Sequence, residues 1–218
     1  MRVLFLSAVL IARATAACIP SGSAATVNAA LQAGGTGAVV QLCKNAVITI
    51  TTAGIEYTAA NQELSTEGYP TDSTRATVII APGSTVGSAI WGRGTSGVSI
   101  RNIQVDGNRA NAGILGSDAL IELGGAASGQ VVNNSVIKNT RSWSCLHYIN
   151  SGIPDSPCQG GIVANNIVGP CGNEGKDANG NAKWADGISF ECANSIVTQN
   201  NVSQDILDTT HIERNSKF

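Results

Sequence analysis

The sequence predicts an all-β chain wound as a solenoid of the β-helix kind, and three observations predict it. The first is a repeat. An apolar residue, three further residues, then Asn or Ser and another apolar residue occur at Val98-Ser-Ile-Arg-Asn102-Ile103 and Val131-Val-Asn-Asn-Ser135-Val136. The pattern returns at Ile162-Val-Ala-Asn-Asn166-Ile167 and Val197-Thr-Gln-Asn-Asn201-Val202. The steps are 33, 31 and 35 residues, the period of units that stack and bury a face against their neighbours. The second is a parallel series upstream: Ser88-Ala-Ile90-Trp, Asp118-Ala-Leu120-Ile, Ser144-Cys-Leu146-His, Asp186-Gly-Ile188-Ser and Asp208-Thr-Thr210-His. These segments are short, apolar at alternate positions and bounded by Gly, Asn or Ser, which are strand signals. Unequal spacing around a constant local pattern means coils with loops of variable length. The third is composition: 25 glycines and 19 asparagines punctuate a chain that is 43% hydrophobic.

Composition also excludes whole classes. Charged residues are 13% and the net charge is −2, against a usual charged share of roughly 25%. A basic nucleic-acid surface and a disordered acidic tail are both excluded. Leu, Glu and Lys are too scarce for a heptad coiled coil.

The elements follow in order. Met1-Arg2, the apolar run Val3 to Ala12 and the small residues Ala14-Thr15-Ala16 read as a secretory signal peptide over residues 1–16. Ten apolar residues are too few to span a bilayer, which takes about 20, so no membrane anchor is expected. Residues 17–218 form one domain. Ser23 to Gln32 places Val27, Ala30 and Leu31 on one face before Gly34-Gly35, a short helix with a glycine stop that caps the first coil. Val39 to Leu42 is the first strand. Residues 51–75 are polar, contain Pro70 and read as a long loop. The coils follow, with Asn102, Ser135, Asn166 and Asn201 stacked as a polar ladder. No cap is visible after Asp208, so the C-terminal end reads as that of a shortened solenoid.

Six cysteines in a secreted chain form disulfides. Pairing of neighbours predicts Cys18–Cys43, which staples the helix to the first strand, Cys145–Cys158, which pins the loop that lengthens its coil, and Cys171–Cys192, which lie about one coil apart. The sequon Asn133-Asn-Ser135 marks Asn133 for glycosylation.

The coils, helix and secretory start over residues 18–208 resemble the right-handed parallel β-helix superfamily of pectate lyases and polygalacturonases. Trp184-Ala185-Asp186-Gly187-Ile188 is similar to the Asn-Thr-Asp-Gly string of polygalacturonases, whose Asp is the catalytic acid. Trp-Ala stands where that family has Asn-Thr. The Asp-Asp, Gly-His-Gly, Arg-Ile-Lys and Arg-x-Pro-x-x-Arg strings of these enzymes are absent. The resemblance implies a carbohydrate-active enzyme on an extracellular acidic, uronate-containing polysaccharide.

Candidate chemistry lies in a few residues. Asp186 and Asp208, 22 residues apart, are expected on neighbouring coils, where two close carboxylates hold one proton as general acid and base. Asp118 aligns with the same column. His147 or Tyr148 is the candidate base beside a uronate carboxylate, with Arg141 or Lys183 holding that carboxylate and Trp143 and Trp184 stacking on sugar rings. Asp177-Ala-Asn179-Gly-Asn181 alternates oxygen ligands, a Ca²⁺ loop in outline. Ala182 and Ile188 stand where an EF-hand needs Gly and Glu, so an EF-hand is excluded and a looser Ca²⁺ site is what remains. A lyase is favoured over a hydrolase, because the hydrolase strings are incomplete. The competing reading is a non-catalytic solenoid that binds cell-wall glycan or a protein, or an inactive short form.

Overall fold

A computed structural model of the chain describes residues 17–116, 118–150, 158–176 and 182–202. Among the described residues, twenty strands and two helices run in the order β1 (Gly22–Ser23), α1 (Ala24–Gly34), β2 (Val39–Leu42), β3 (Val47–Ile50), β4 (Ile55–Glu56), β5 (Glu63–Thr66), β6 (Thr77–Ile80), β7 (Ile90–Trp91), β8 (Ser99–Arg101) and β9 (Gln104–Asp106). There follow α2 (Arg109–Ala112), β10 (Ile121–Gly124), β11 (Val131–Asn133), β12 (Val136–Lys138), β13 (Ser144–Ile149), β14 (Ile162–Ala164), β15 (Ile167–Val168), β16 (Asn173–Lys176), β17 (Ala182–Trp184), β18 (Asp186–Phe190), β19 (Ile196–Thr198) and β20 (Asn201–Val202).

Three parallel sheets carry the fold. Sheet I is β2-β5-β8-β11-β14-β19, sheet II is β1-β3-β6-β9-β12-β15-β20, and sheet III is β4-β7-β10-β13-β18. From β2 onward the chain visits I, II and III in turn, an arrangement consistent with a parallel β-helix. The antiparallel hairpin β16–β17 interrupts one circuit.

Alternation explains the core. Each strand turns every second residue inward, and register stacks those residues into aliphatic ladders. Sheet I contributes Val40, Leu64, Ile100, Val132, Val163 and Val197. Sheet II contributes Ile48, Val78, Val105, Ile137, Val168 and Val202. Sheet III contributes Ile55, Ile90, Ile121, Leu146 and Ile188. Most of these side chains are fully buried, each stabilising by about 1.5–3 kcal/mol.

A polar column sets the bend from sheet I to sheet II. Asn102, Asn134, Asn165 and Gln199 occupy one register position and all have φ between 52° and 58°. Asn tolerates this left-handed conformation better than other side chains. The hydrogen-bonded ladder lies one residue further on. Ser135 N–H donates to Asn166 Oδ1 at 2.9 Å, and Asn166 N–H to Asn200 Oδ1 at 3.0 Å. Asn200 rather than Asn201 is therefore the ladder member, and Asn102 belongs to the bend column, where its amide donates to the carbonyls of Tyr69 and Pro70.

Two further expectations are corrected. Residues 51–75 contain β4 and β5, whose Ile55 and Leu64 are fully buried. Gln62 ties that segment to α1, its amide donating to Leu31 O and Gly35 O. The cysteines pair as Cys18–Cys43, Cys145–Cys171 and Cys158–Cys192, so Cys145–Cys158 and Cys171–Cys192 do not form. The reason is register. Gln159 bridges to Ala193 one circuit on, which sets Cys158 against Cys192 with Cα atoms 4.8 Å apart. The hairpin lengthens that circuit to 34 residues, so the coil step that would join Cys171 to Cys192 does not apply.

Helix α1 buries Ala24, Val27 and Leu31 and lies against strands β1 to β4. Gly35 ends it at φ 64°, its N–H donating to Leu31 O. Among the described residues no helix is long and apolar enough to cross a membrane. Residues 1–16, and the coil expected around Asp208, lie outside the described residues.

Candidate functional site

The outward face of sheet III carries a row of acidic, aromatic, imidazole and hydroxyl side chains. Glu56, Trp91, Glu122, His147 and Ser189 stand side by side in register on β4, β7, β10, β13 and β18. They alternate with the inward ladder of Ile55 to Ile188, so the pleat that builds the core also aims this row outward.

His147 is its centre. Nδ1 lies 3.2 Å from both carboxylate oxygens of Glu122, and Nε2 lies 3.7 Å from Glu191 Oε1. With the Glu122 carboxylate at Nδ1, that nitrogen is the donor of the pair, and Nε2 is turned toward Glu191. Nε2 is buried without a hydrogen-bond partner. Glu122 and His147 are 3% and 4% exposed, whereas the Glu191 side chain is 37% exposed. Glu122 is held in turn by the Ala119 N–H at 2.9 Å, and Glu191 Oε2 accepts from Asn150 N–H at 2.7 Å. Trp143 meets the imidazole edge-on, with ring centroids 4.6 Å apart. The result is a line of three groups, carboxylate, imidazole and carboxylate, running from the buried side of the row to solvent. Such a line can take up a proton at its outer end and stabilise it along its length.

A cleft of about 300 Å³ opens further along the same sheet. Its walls include Glu56, Trp91, Asp118 and Ser88.

Several expected site residues sit elsewhere. Tyr148 follows His147 and therefore points inward, where it is fully buried against Phe190. Burial pushes its phenol well above the ordinary tyrosine range. It belongs to the core and is not a base in the groove. Arg141 is 4% exposed, and its guanidinium donates to four backbone carbonyls, those of Ser84, Val86, Ala112 and Gly113, at 2.8–2.9 Å. With its donors turned into loops, it does not hold a substrate carboxylate. Asp186 begins β18 opposite Ser144 and shares parity with the buried Ile188 and Phe190. Asp118 is not in its column. Ile121, rather than Leu120, pairs with Leu146, so Ala119 is the residue that falls in line with Ser144 and Asp186.

That one-residue slip also hid Glu122 from the sequence reading. Aligning Leu120 with Leu146 sets Ile121 beside His147, whereas the real register sets Glu122 there. A slip by one exchanges the faces of the whole strand. Glu191, just past β18, carried no motif at all.

Trp143 is half-buried beside His147. Lys183 and Trp184 lie on the backbone of β17. Asp208 and the Ca²⁺-loop residues Asp177, Asn179 and Asn181 lie outside the described residues. Asn133 ends β11, half-buried, and its sequon partner Ser135 is fully buried.

No protein-family model matches the sequence, and no curated protein matches it. Among solved structures, the chain is similar to a candidate glycosyl hydrolase from Parabacteroides merdae, with 16% identity, 89% of this chain and 85% of that chain covered, and a TM-score of 0.50. It is also similar to an alginate lyase from Paenibacillus sp., with 12% identity, 88% and 80% covered, and a TM-score of 0.45. At 16% identity, the likeness to the first of these is one of fold.

Proposed function

We propose that this chain is a secreted carbohydrate-active enzyme that cleaves a uronate-containing polysaccharide lying across the outer face of sheet III. Its fold is read as a right-handed parallel β-helix capped by α1, and residues 1–16 as its signal peptide. The secretory start and three disulfides support an extracellular setting. The observation that carries the catalytic reading is the Glu122–His147–Glu191 line.

The reaction assigned to it is β-elimination. The half-exposed Glu191 carboxylate removes the proton from the carbon beside the uronate carboxyl group and passes it to Nε2 of His147. Glu122 stabilises the imidazolium so formed. The carbon–carbon double bond forms as the glycosidic C–O bond breaks, and the same proton returns through Glu191 to the leaving oxygen. Glu191 touches the substrate, while His147 and Glu122 act through it. The burial of His147 favours a second reading, a non-catalytic glycan-binding protein in which the line only braces the sheet.

The test is ultraviolet absorbance of unsaturated uronate on pectate, alginate and glucuronan, with calcium and with chelator, using wild type, Glu191→Gln, His147→Ala and Glu122→Gln. A rising trace for the wild type is expected. Glu191→Gln should lower kcat by about 10²–10⁴-fold with circular dichroism unchanged. A flat trace with new reducing ends makes the chain a hydrolase. A flat trace with no product refutes the enzyme reading in favour of the binding one.

A further inference from the structure

Resting on the reading that sheet III is the glycan-binding face, we propose that the cleft at Trp91 is a sugar subsite that takes a residue without a carboxylate. A polysaccharide that mixes uronate with non-acidic residues is then held more tightly than a uronate homopolymer. Trp91 stands in the same outward row as Glu122 and His147, two strands from His147, or roughly 10 Å at the usual strand spacing. A chain crossing the sheet at the catalytic line therefore also crosses this cleft.

The walls decide what fits. The cleft holds about 300 Å³ and is lined by Asn28, Gly54, Glu56, Ser88, Trp91 and Asp118 among others. Trp91 is half-buried, so its indole is fixed against the sheet with part of the ring free to pack on the apolar face of a pyranose. Glu56 and Asp118 are exposed carboxylates in the same cleft, and among the described residues no ion pair involves either one. Among the described residues, no Lys or Arg lines the cleft. The polar side chains near them do not offset this charge. Asn28 is committed, its Oδ1 accepting from Glu56 N–H and its amide donating to Gly54 O, and Ser88 donates to Ala119 O.

Two carboxylates beside an aromatic face accept hydrogen bonds and attract positive charge. They repel a uronate carboxylate, which would have to be desolvated between like charges without an imidazole between them of the kind that separates Glu122 from Glu191. The ligand chemistry that suits this cleft is therefore a pyranose offering donors, either the hydroxyls of a neutral sugar or the ammonium of an amino sugar.

The experiment is isothermal titration of the full chain with three trisaccharides, of β-1,4-linked glucose, β-1,4-linked glucosamine and α-1,4-linked galacturonate. Wild type is compared with Trp91→Phe, Trp91→Ala and the fold-neutral pair Glu56→Gln/Asp118→Asn. A non-acidic trimer is expected to bind about tenfold or more tighter than trigalacturonate. The double carboxamide variant should remove most of that preference, and Trp91→Ala should weaken the non-acidic trimer about tenfold while Trp91→Phe retains part of the binding. A preference for glucosamine that collapses in high salt identifies the amine as the donor, and equal, salt-insensitive binding of glucose identifies hydroxyls. Trigalacturonate binding as tightly as the other two, or indifference of all three to both substitutions, overturns the proposal. If uronate polysaccharides are still cleaved in a Glu191-dependent way in that case, the subsite assignment alone has failed. If no polysaccharide is bound or cleaved, the reading of sheet III has failed with it.

Discussion

Arg141→Ala tests the reassignment of the one buried guanidinium that the sequence had placed in the groove. The side chain makes four N–H···O bonds of 2.8–2.9 Å to carbonyls of two segments, Ser84 and Val86 after β6 and Ala112 and Gly113 at the end of α2. Each such bond from a charged donor is worth about 1.5–3 kcal/mol. Simple addition would give roughly 6–12 kcal/mol, but desolvation of the guanidinium offsets part of this and the freed carbonyls partly rehydrate. Removing the guanidinium leaves four carbonyls without their donor, at about 1–3 kcal/mol for each that stays buried, and about 4 kcal/mol is the expected loss. With a urea slope of about 2 kcal/mol/M, the unfolding midpoint falls by about 2 M. Arg141→Lys should recover less than half, because an ammonium lacks the planar fork that spans both segments. The assay is urea unfolding followed by circular dichroism, run beside glycan titration of the folded variant. A midpoint shift below about 0.5 M, or a lost glycan affinity at unchanged stability, would refute the structural role and return Arg141 to the binding site.

Other outcomes follow from single groups. Tyr148→Phe removes a hydroxyl that is buried with no hydrogen-bond partner, so the variant should melt at or above the wild-type temperature, by up to about 1 kcal/mol of added stability, with catalysis intact. Peptide mapping under non-reducing conditions should find Cys145 joined to Cys171 and Cys158 to Cys192. Replacing Cys158 and Cys192 by Ser opens a loop with a separation of 34 residues and should cost about 3–4 kcal/mol in chemical denaturation. The Asp72 carboxyl is held below its ordinary range by the hydroxyl and N–H of Thr74. The folded chain thus binds that proton more weakly than the unfolded one. The contribution is present above about pH 4 and fades as pH falls through the depressed value. Asp72→Asn should lower the midpoint at pH 7, and the difference from wild type should shrink as pH falls below about 4.

What was legible in the sequence was local and periodic. Alternating apolar residues, Asn at the bends and a step of about one coil specify short strands that must stack, because each buries one face only against the next. A helix stop at Gly34-Gly35 is legible for the same reason, since glycine freedom is a property of the residue itself. Register is not. Leu120 and Ile121 are both apolar and both buried, so nothing in the string says which one faces Leu146. Only the closure of the circuits decides it, and with it whether Glu122 or Ile121 stands beside His147. Tyr148 shows the converse. Strand alternation alone forbids it from sharing a face with His147, so its inward position is written in the sequence. The fates of Arg141, Cys158 and Glu191 depend on loops of unequal length folding back on the coils. Those contacts join residues far apart in the chain, and the side chains that receive them carry no periodic mark. The tertiary structure therefore decided the site, while the sequence by itself had determined the scaffold on which the site is displayed.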